Sequence, residues 1–234
     1  MRRQQLSANE TVWFNPDLIT EPLEQLFEHA YWHREDRILG RATGRGITWF
    51  VQADKTPAAL RHYRRGGLFG KIAKDNYLFT GWSNTRSCAE FKLLGFLNSQ
   101  GVHVPQPLAA RAVRRGLFYQ ADLLSELIPN AQDIISILKE RALTALEYKK
   151  IGAEIKKMHN VYVNHTDLNI HNILLDKKGK VWLIDFDKCA VKKGEGWKKK
   201  NLDRLLMSFR KEQGKAQIYW QETEFDALLA GYQA

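Results

Sequence analysis

Apolar and polar positions along this chain follow two periods, and the change comes near residue 128. Before it, short runs dominate. Ile38 precedes a glycine-rich turn, Gly40 to Gly46, and Thr48 to Gln52 follows it, so two strands are expected to flank that turn. A polar turn, Ala53 to Pro57, leads to a third strand over Ala58 to Tyr63. Asn84 to Gln100 then takes up a helical period, with Phe91, Leu94 and Leu97 on one face and Gly101 as a stop. Residues 102–110 (VHVPQPLAA) and 117–127 (LFYQADLLSEL) read as two more strands, the second running into a hinge at 125–128. After the hinge, Asp133 to Leu138 and Leu143 to His159 read as helices. Two apolar runs, Ile173 to Leu175 and Val181 to Ile184, enclose a Gly-containing turn and form a hairpin. Asn201 to Phe209 repeats the helical pattern with Leu202, Leu205, Leu206 and Phe209 on one face. The aromatics of residues 1–35, among them Trp13, Phe27 and Trp32, are expected to pack as a flank of the first lobe. The expected fold is α+β and two-lobed: a small β-rich N-lobe over residues 1–126, a mainly helical C-lobe over 127–234.

Composition sharpens this picture. The 234 residues are 44% hydrophobic and 26% charged, which fits an ordinary globular protein with a sizeable core. Cys88 and Cys189 form neither a disulfide framework nor a CxxC pattern, and read as plain buried thiols in a reducing compartment. Arg2 and Arg3 are followed by no apolar h-region, and no run reaches the ~18 apolar residues of a spanning helix. The net charge of +10 gathers at RHYRR (61–65), RAVRR (111–115), Lys149–Lys150 and KKGEGWKKK (192–200). Each cluster is either a solvated face or a seat for a polyanion.

The densest chemistry lies in His165 to Asp187, HTDLNIHNILLDKKGKVWLIDFD. His165, Asp167 and Asn172 keep the spacing of a kinase catalytic loop, HRDxxxxN, with Thr166 in place of Arg. In such a loop the Asp positions the acceptor hydroxyl and the Asn holds Mg²⁺. The hairpin returns the chain so that Asp185, first residue of a DFD in the DFG slot, lies beside Asn172. Together they form a sparse oxygen site suited to Mg²⁺ on ATP phosphates. Asp167 is the expected catalytic carboxylate, and His165 is expected to brace the loop backbone. The basic cluster that follows Asp187 favours an anionic acceptor.

The N-terminal half supplies the rest of a bilobal protein-kinase-like fold. Gly44 and Gly46 allow close approach of backbone amides to phosphate, or else make a plain hairpin turn. Arg61 stands where a kinase strand carries its phosphate-binding Lys, with Arg64, Lys71 and Lys74 as competitors for that place. Glu90 is placed to pair with the strand cation, the alternative being a capping box with Ser87. The stretch from Asp187 to the next helical pattern is too short for an ordinary activation segment, and no APE sequence occurs. That points away from peptide acceptors and towards a small or lipid-linked one.

GRGITWFV, LRHYRRGG, AEFKLLGFLNSQGVHVPQPLAA, HTDLNIHNILLD, VWLIDFDK and WKKKNLDRLLMSFRK run in order over most of the chain. This set resembles the 3-deoxy-D-manno-octulosonic acid (Kdo) kinases among the lipopolysaccharide core sugar kinases. The resemblance implies ATP- and Mg²⁺-dependent phosphorylation of a Kdo residue on a lipid A precursor, at the cytoplasmic face of the bacterial inner membrane. It implies Asp167 as catalytic residue and Asn172 and Asp185 as metal ligands. An anionic membrane surface is the expected partner, met through basic faces and exposed aromatics such as Trp197, and nucleic acid is not expected. The alternatives are a heptose or other small-molecule kinase of the same superfamily, and a non-catalytic kinase-fold module that binds polyanions.

Overall fold

The computed structural model describes residues 1–43, 46–65 and 75–234. The chain divides into two compact units: residues 1–95 with 106–127, and residues 96–105 with 128–234.

The first unit is built on an eight-stranded antiparallel sheet. Its elements are β1 (Arg2–Ser7), β2 (Glu10–Phe14), the short α1 (His29–Arg34), β3 (Ile38–Thr43), β4 (Ile47–Gln52), β5 (Pro57–His62), β6 (Tyr77–Leu78), α2 (Arg86–Ser99), β7 (Pro107–Arg115) and β8 (Phe118–Glu126). α2 ends in the second unit. The strand order is β1-β2-β7-β8-β5-β4-β3, with β6 beside β8. Residues 1–14 therefore contain two strands of the sheet rather than a packed flank: Thr11, Val12 and Trp13 are buried in succession, so both faces of β2 are covered, and they pair with Ala112, Arg111 and Ala110 of β7. β7 begins five residues later than the apolar run suggested and continues through RAVRR: Pro105 and Pro107 delay pairing, and the alternation of Ala110, Ala112 and the arginines carries it on. Val12, Leu26, Phe27, Trp32, Leu60 and Leu124 are among the buried side chains of its core.

The second unit holds β9 (Ala131–Asp133), α3 (Ile134–Glu140), α4 (Ala145–Asn160), β10 (Val163–Asn164), β11 (Ile173–Asp176), β12 (Val181–Leu183), β13 (Ala190–Val191), α5 (Gly196–Lys215) and α6 (Glu224–Gln233). α4 starts in a capping box: Thr144 Oγ1 accepts from the Glu147 amide while the Glu147 carboxylate accepts from the Thr144 amide. Such caps are worth about 1 kcal/mol. Tyr148, Ile151, Ile155 and Met158 then line its buried face. Where α4 meets α6, both helices carry glycine. A Cβ on Gly152 would lie 2.0 Å from the Leu228 carbonyl oxygen, and one on Gly231 would lie 2.0 Å from that of Lys149. α5 is longer than the apolar pattern indicated and takes WKKK into its first turns. Trp197 is buried there, 5% exposed, with its ring edge-on to His159 at 5.0 Å, so it is not a surface aromatic.

Candidate active site

The β11–β12 hairpin and the loop before it bring the C-terminal candidates together. Ile173 pairs with Leu183, and one step further out the Ile184 amide donates to the Asn172 carbonyl at 3.0 Å. Asp185 follows directly, so the chain passes Asn172 and Asp185 side by side as the spacing indicated. Asp185 adopts φ +62, a left-handed conformation that costs a non-glycine residue on the order of 1 kcal/mol and collects at functional sites.

Asp167 is held by its backbone. Its carbonyl oxygen accepts from Asn172 Nδ2 at 2.9 Å and from Asn169 Nδ2 at 2.8 Å. Its amide donates to His165 Nδ1 at 3.3 Å. The other ring nitrogen of His165 lies 3.0 Å from the Ile184 carbonyl. An acceptor at Nε2 and a donor at Nδ1 fix one neutral tautomer, with the proton on Nε2. His165 is fully buried, and that burial holds its pKa below the ordinary imidazole value. It is therefore a brace and not a base: one imidazole ties the backbone of Asp167 to the strand that delivers Asp185, with Phe186 edge-on to it at 4.8 Å. His171 is exposed and 3.6 Å from Glu212.

The Asp167 carboxylate is half exposed and has Arg204 Nη1 of α5 at 3.3 Å from Oδ1. Neither Arg204 nor Asn169 emerged from sequence reasoning. Arg204 lies 37 positions from Asp167, so no spacing rule links them. Asn169 falls in the variable interior of the HRDxxxxN pattern.

Two oxygens of the kind Mg²⁺ takes, one amide and one carboxylate, come from Asn172 and Asp185. Because Asn172 commits its Nδ2 to the Asp167 carbonyl, its Oδ1 is turned away from that bond. Hard oxygen donors in this number fit an ion that completes its shell with water and phosphate.

In the sheet unit, Arg61 on β5 and Glu90 on α2 form an ion pair. Arg61 Nη2 lies 2.6 Å from both Glu90 oxygens, Tyr63 Oη also donates to Glu90, and the guanidinium sits 4.8 Å from the Tyr63 ring centroid. Glu90 is buried, and Ser87 donates instead to the Arg111 carbonyl, so the pair forms and the capping box does not. Gly46 faces Arg64, whose Cδ would lie 3.0 Å from an added Cβ. Gly44, Lys71 and Lys74 lie outside the described residues.

The basic clusters divide in use. Arg61 is bound as above, and Arg111 is bound to Asp122 at 2.9 Å and Glu28 at 2.6 Å. Arg114 and Arg115 are exposed. Among the described residues no helix is long and apolar enough to cross a membrane.

A β-sheet unit with a strand arginine locked to a helix glutamate, followed by a helical unit with this loop and hairpin, defines a phosphotransferase of the protein-kinase-like class. Residues 29–232 match the family model described as the lipopolysaccharide kinase (Kdo/WaaP) family, and the chain belongs to that family. It is 59% identical over 228 residues to a 3-deoxy-D-manno-octulosonic acid kinase of Vibrio parahaemolyticus, covering 97% of this chain and 96% of that protein. Enzymes of the same name from Vibrio vulnificus and Haemophilus influenzae are 56% and 44% identical, the first over 100% of this chain and 99% of the relative, the second over 96% of each.

Proposed function

We propose that the protein transfers the γ-phosphate of ATP to a hydroxyl of a Kdo residue on a lipid A precursor, in lipopolysaccharide core biosynthesis. Near-full-length similarity to enzymes named for that sugar acid supports the acceptor. The structural observation that carries the chemistry is the buried His165, which fastens the backbone of Asp167 to the strand leading into Asp185.

In this reading Asp167 accepts a hydrogen bond from the sugar hydroxyl and aligns it for attack, taking its proton as the new P–O bond forms and the bond from the γ-phosphorus to the bridging oxygen breaks, releasing ADP. Arg204 orients the carboxylate from the side. Asn172 and Asp185 would hold Mg²⁺, which supplies charge neutralisation at the phosphates. Arg61, kept in place by Glu90 and Tyr63, offers a fixed cation for phosphate oxygens, and Gly44 and Gly46 a backbone approach to them. Positioning and preorganised charge then provide most of the acceleration. The acceptor is a lipid, so the protein works as a peripheral protein on the anionic cytoplasmic face of the inner membrane.

Transfer of labelled γ-phosphate from ATP to Kdo-bearing lipid A precursor, with and without Mg²⁺, tests this, with the precursor lacking Kdo as control. Metal-dependent label on the Kdo-bearing lipid alone is the expected result. Label on a heptose-bearing acceptor instead would reassign the sugar. No transfer to any acceptor, with no ATP binding, would favour the non-catalytic polyanion-binding alternative.

A further inference from the structure

The β7–β8 hairpin ends in a two-residue turn, Gly116–Leu117, with Gly116 at φ +61. Its last cross-strand pair is Arg115 with Phe118, and on the other side of β8 Leu78 of β6 pairs with the same Phe118. Directly paired residues point to one face of a sheet. Leu78, Phe118 and Arg115 therefore form a row on one face of the tip, with Leu117 capping it. The opposite face here is closed: Tyr77 and Tyr119 are buried, and Phe79 carries the Arg114 guanidinium 4.9 Å from its ring centroid.

The outward row is not covered. Leu117 is 72% exposed, Leu78 60% and Phe118 47%, and Arg115 in the same row is exposed as well, whereas Arg114 turns to the closed face and donates to the Gly116 carbonyl. Isolated exposed apolar residues need no explanation, but three at one hairpin tip beside an exposed arginine do. The acids nearest along this face are committed. Glu10 and Asp122 are within reach of Arg111, and Asp75 accepts from Gln120 at 2.7 Å and lies 3.3 Å from His62.

We propose that this hairpin tip is a membrane-docking element, in which Leu117, Phe118 and Leu78 enter the interfacial zone of an anionic bilayer while Arg115 meets the lipid phosphates. The occupant follows from charge and apolarity together. Nucleic acid would match the arginine but not three exposed aliphatic and aromatic side chains, and a neutral protein groove would match the latter only. The choice of lipid rests on the reading that the acceptor is membrane-embedded.

Two readouts test it on the full chain. The first is sedimentation with vesicles of phosphatidylethanolamine and phosphatidylglycerol, against neutral phosphatidylcholine vesicles. The double variant L117S/F118S should bind anionic vesicles at least about tenfold more weakly. Arg115→Gln should lose roughly fivefold at low salt and weaken the salt dependence. Met207→Ser, equally exposed but on α5, should bind as wild type. The second readout is an environment-sensitive dye on Leu117→Cys, which should brighten with anionic vesicles while the same dye on Met207→Cys does not; Cys88 and Cys189 are buried and leave the label site-specific. Transfer to a water-soluble Kdo acceptor should be unchanged in L117S/F118S, with KM for vesicle-embedded acceptor raised about tenfold.

Equal vesicle binding by wild type and L117S/F118S, or a dye at residue 117 that stays dim, overturns the proposal. So does a wild-type dimer that L117S/F118S dissociates, because the tip would then meet a second copy. If wild type binds vesicles through the tip yet phosphorylates no Kdo acceptor, the docking element stands and the acceptor assignment falls.

Discussion

Asp167 carries the largest single demand in the proposed chemistry, because its carboxylate both aligns the acceptor hydroxyl and receives the proton. Replacing it with Asn keeps the size and removes the charge. Asp167→Asn is expected to lower kcat by about 10²–10⁴-fold with KM for both substrates within a few-fold, checked by initial-rate kinetics on folded protein. Loss of affinity with kcat intact would move the acid to a binding role. Glu90 acts one step removed. It is buried, and its two oxygens hold one Arg61 nitrogen while accepting from Tyr63. Glu90→Gln should free the guanidinium and raise KM for ATP about tenfold, with KM for the acceptor unchanged. His165 explains why the candidate residues act as a set. A fully buried imidazole with both nitrogens occupied has no freedom to serve as a base, but it transmits position between two backbone segments.

At the scale of elements, the α4–α6 contact tolerates no side chain at its glycines. Gly152→Ala would drive a methyl group into the Leu228 carbonyl and the Tyr232 amide. The expected cost is about 3 kcal/mol, or roughly 10 °C in Tm, measurable by calorimetry. A near-neutral result would mean that the two helices can separate without loss. The same region holds a polar link. Asn201 of α5 accepts from the His165 amide and donates to Asn164, which orients its oxygen towards His159 Nε2 of α4. His159 therefore carries its proton on Nε2 and accepts from Tyr232 of α6 at Nδ1. Burial lowers the His159 pKa to about 4. The folded state thus keeps this histidine neutral where the unfolded chain would protonate it. Its contribution to stability is fully present above about pH 6.5 and is lost as pH falls towards 4. Tm measured across that window should fall in wild type, and fall less in His159→Gln. An equally steep slope in the variant would assign the acid sensitivity to carboxylates instead.

For the whole molecule, a ligand that binds only the folded chain raises its stability by mass action. Mg²⁺ with ATP at about a hundred times Kd should add about 2.7 kcal/mol, roughly 5–10 °C in Tm. Asp185→Asn should lose the part of that shift that depends on Mg²⁺ and is reversed by EDTA, while keeping the Tm of the free protein within a few degrees. An unchanged metal-dependent shift would remove Asp185 from the metal site. The net charge of +10 acts at this scale too, but not uniformly. Arg61 and Arg111 are consumed by internal pairs, while Arg115 is exposed beside apolar side chains at one hairpin tip.

The sequence by itself determined the alternation of short strands and helices, the hairpin between Asn172 and Asp185, and the spacing of His165, Asp167 and Asn172. Each depends on the local period of side chains or on a turn, and those are properties of neighbouring residues. It also specified the class of chemistry, because two carboxylates and an amide at those intervals have few other uses. Only the tertiary structure decided that residues 1–14 are sheet strands, that Trp197 is buried against His159, that Glu90 binds Arg61 rather than capping a helix, and that Arg204 reaches Asp167. These depend on which distant segments meet. A tryptophan in a lysine-rich run looks solvent-facing until a second helix is packed over it, and an arginine on one element shows no partner until another element brings a carboxylate within 4 Å.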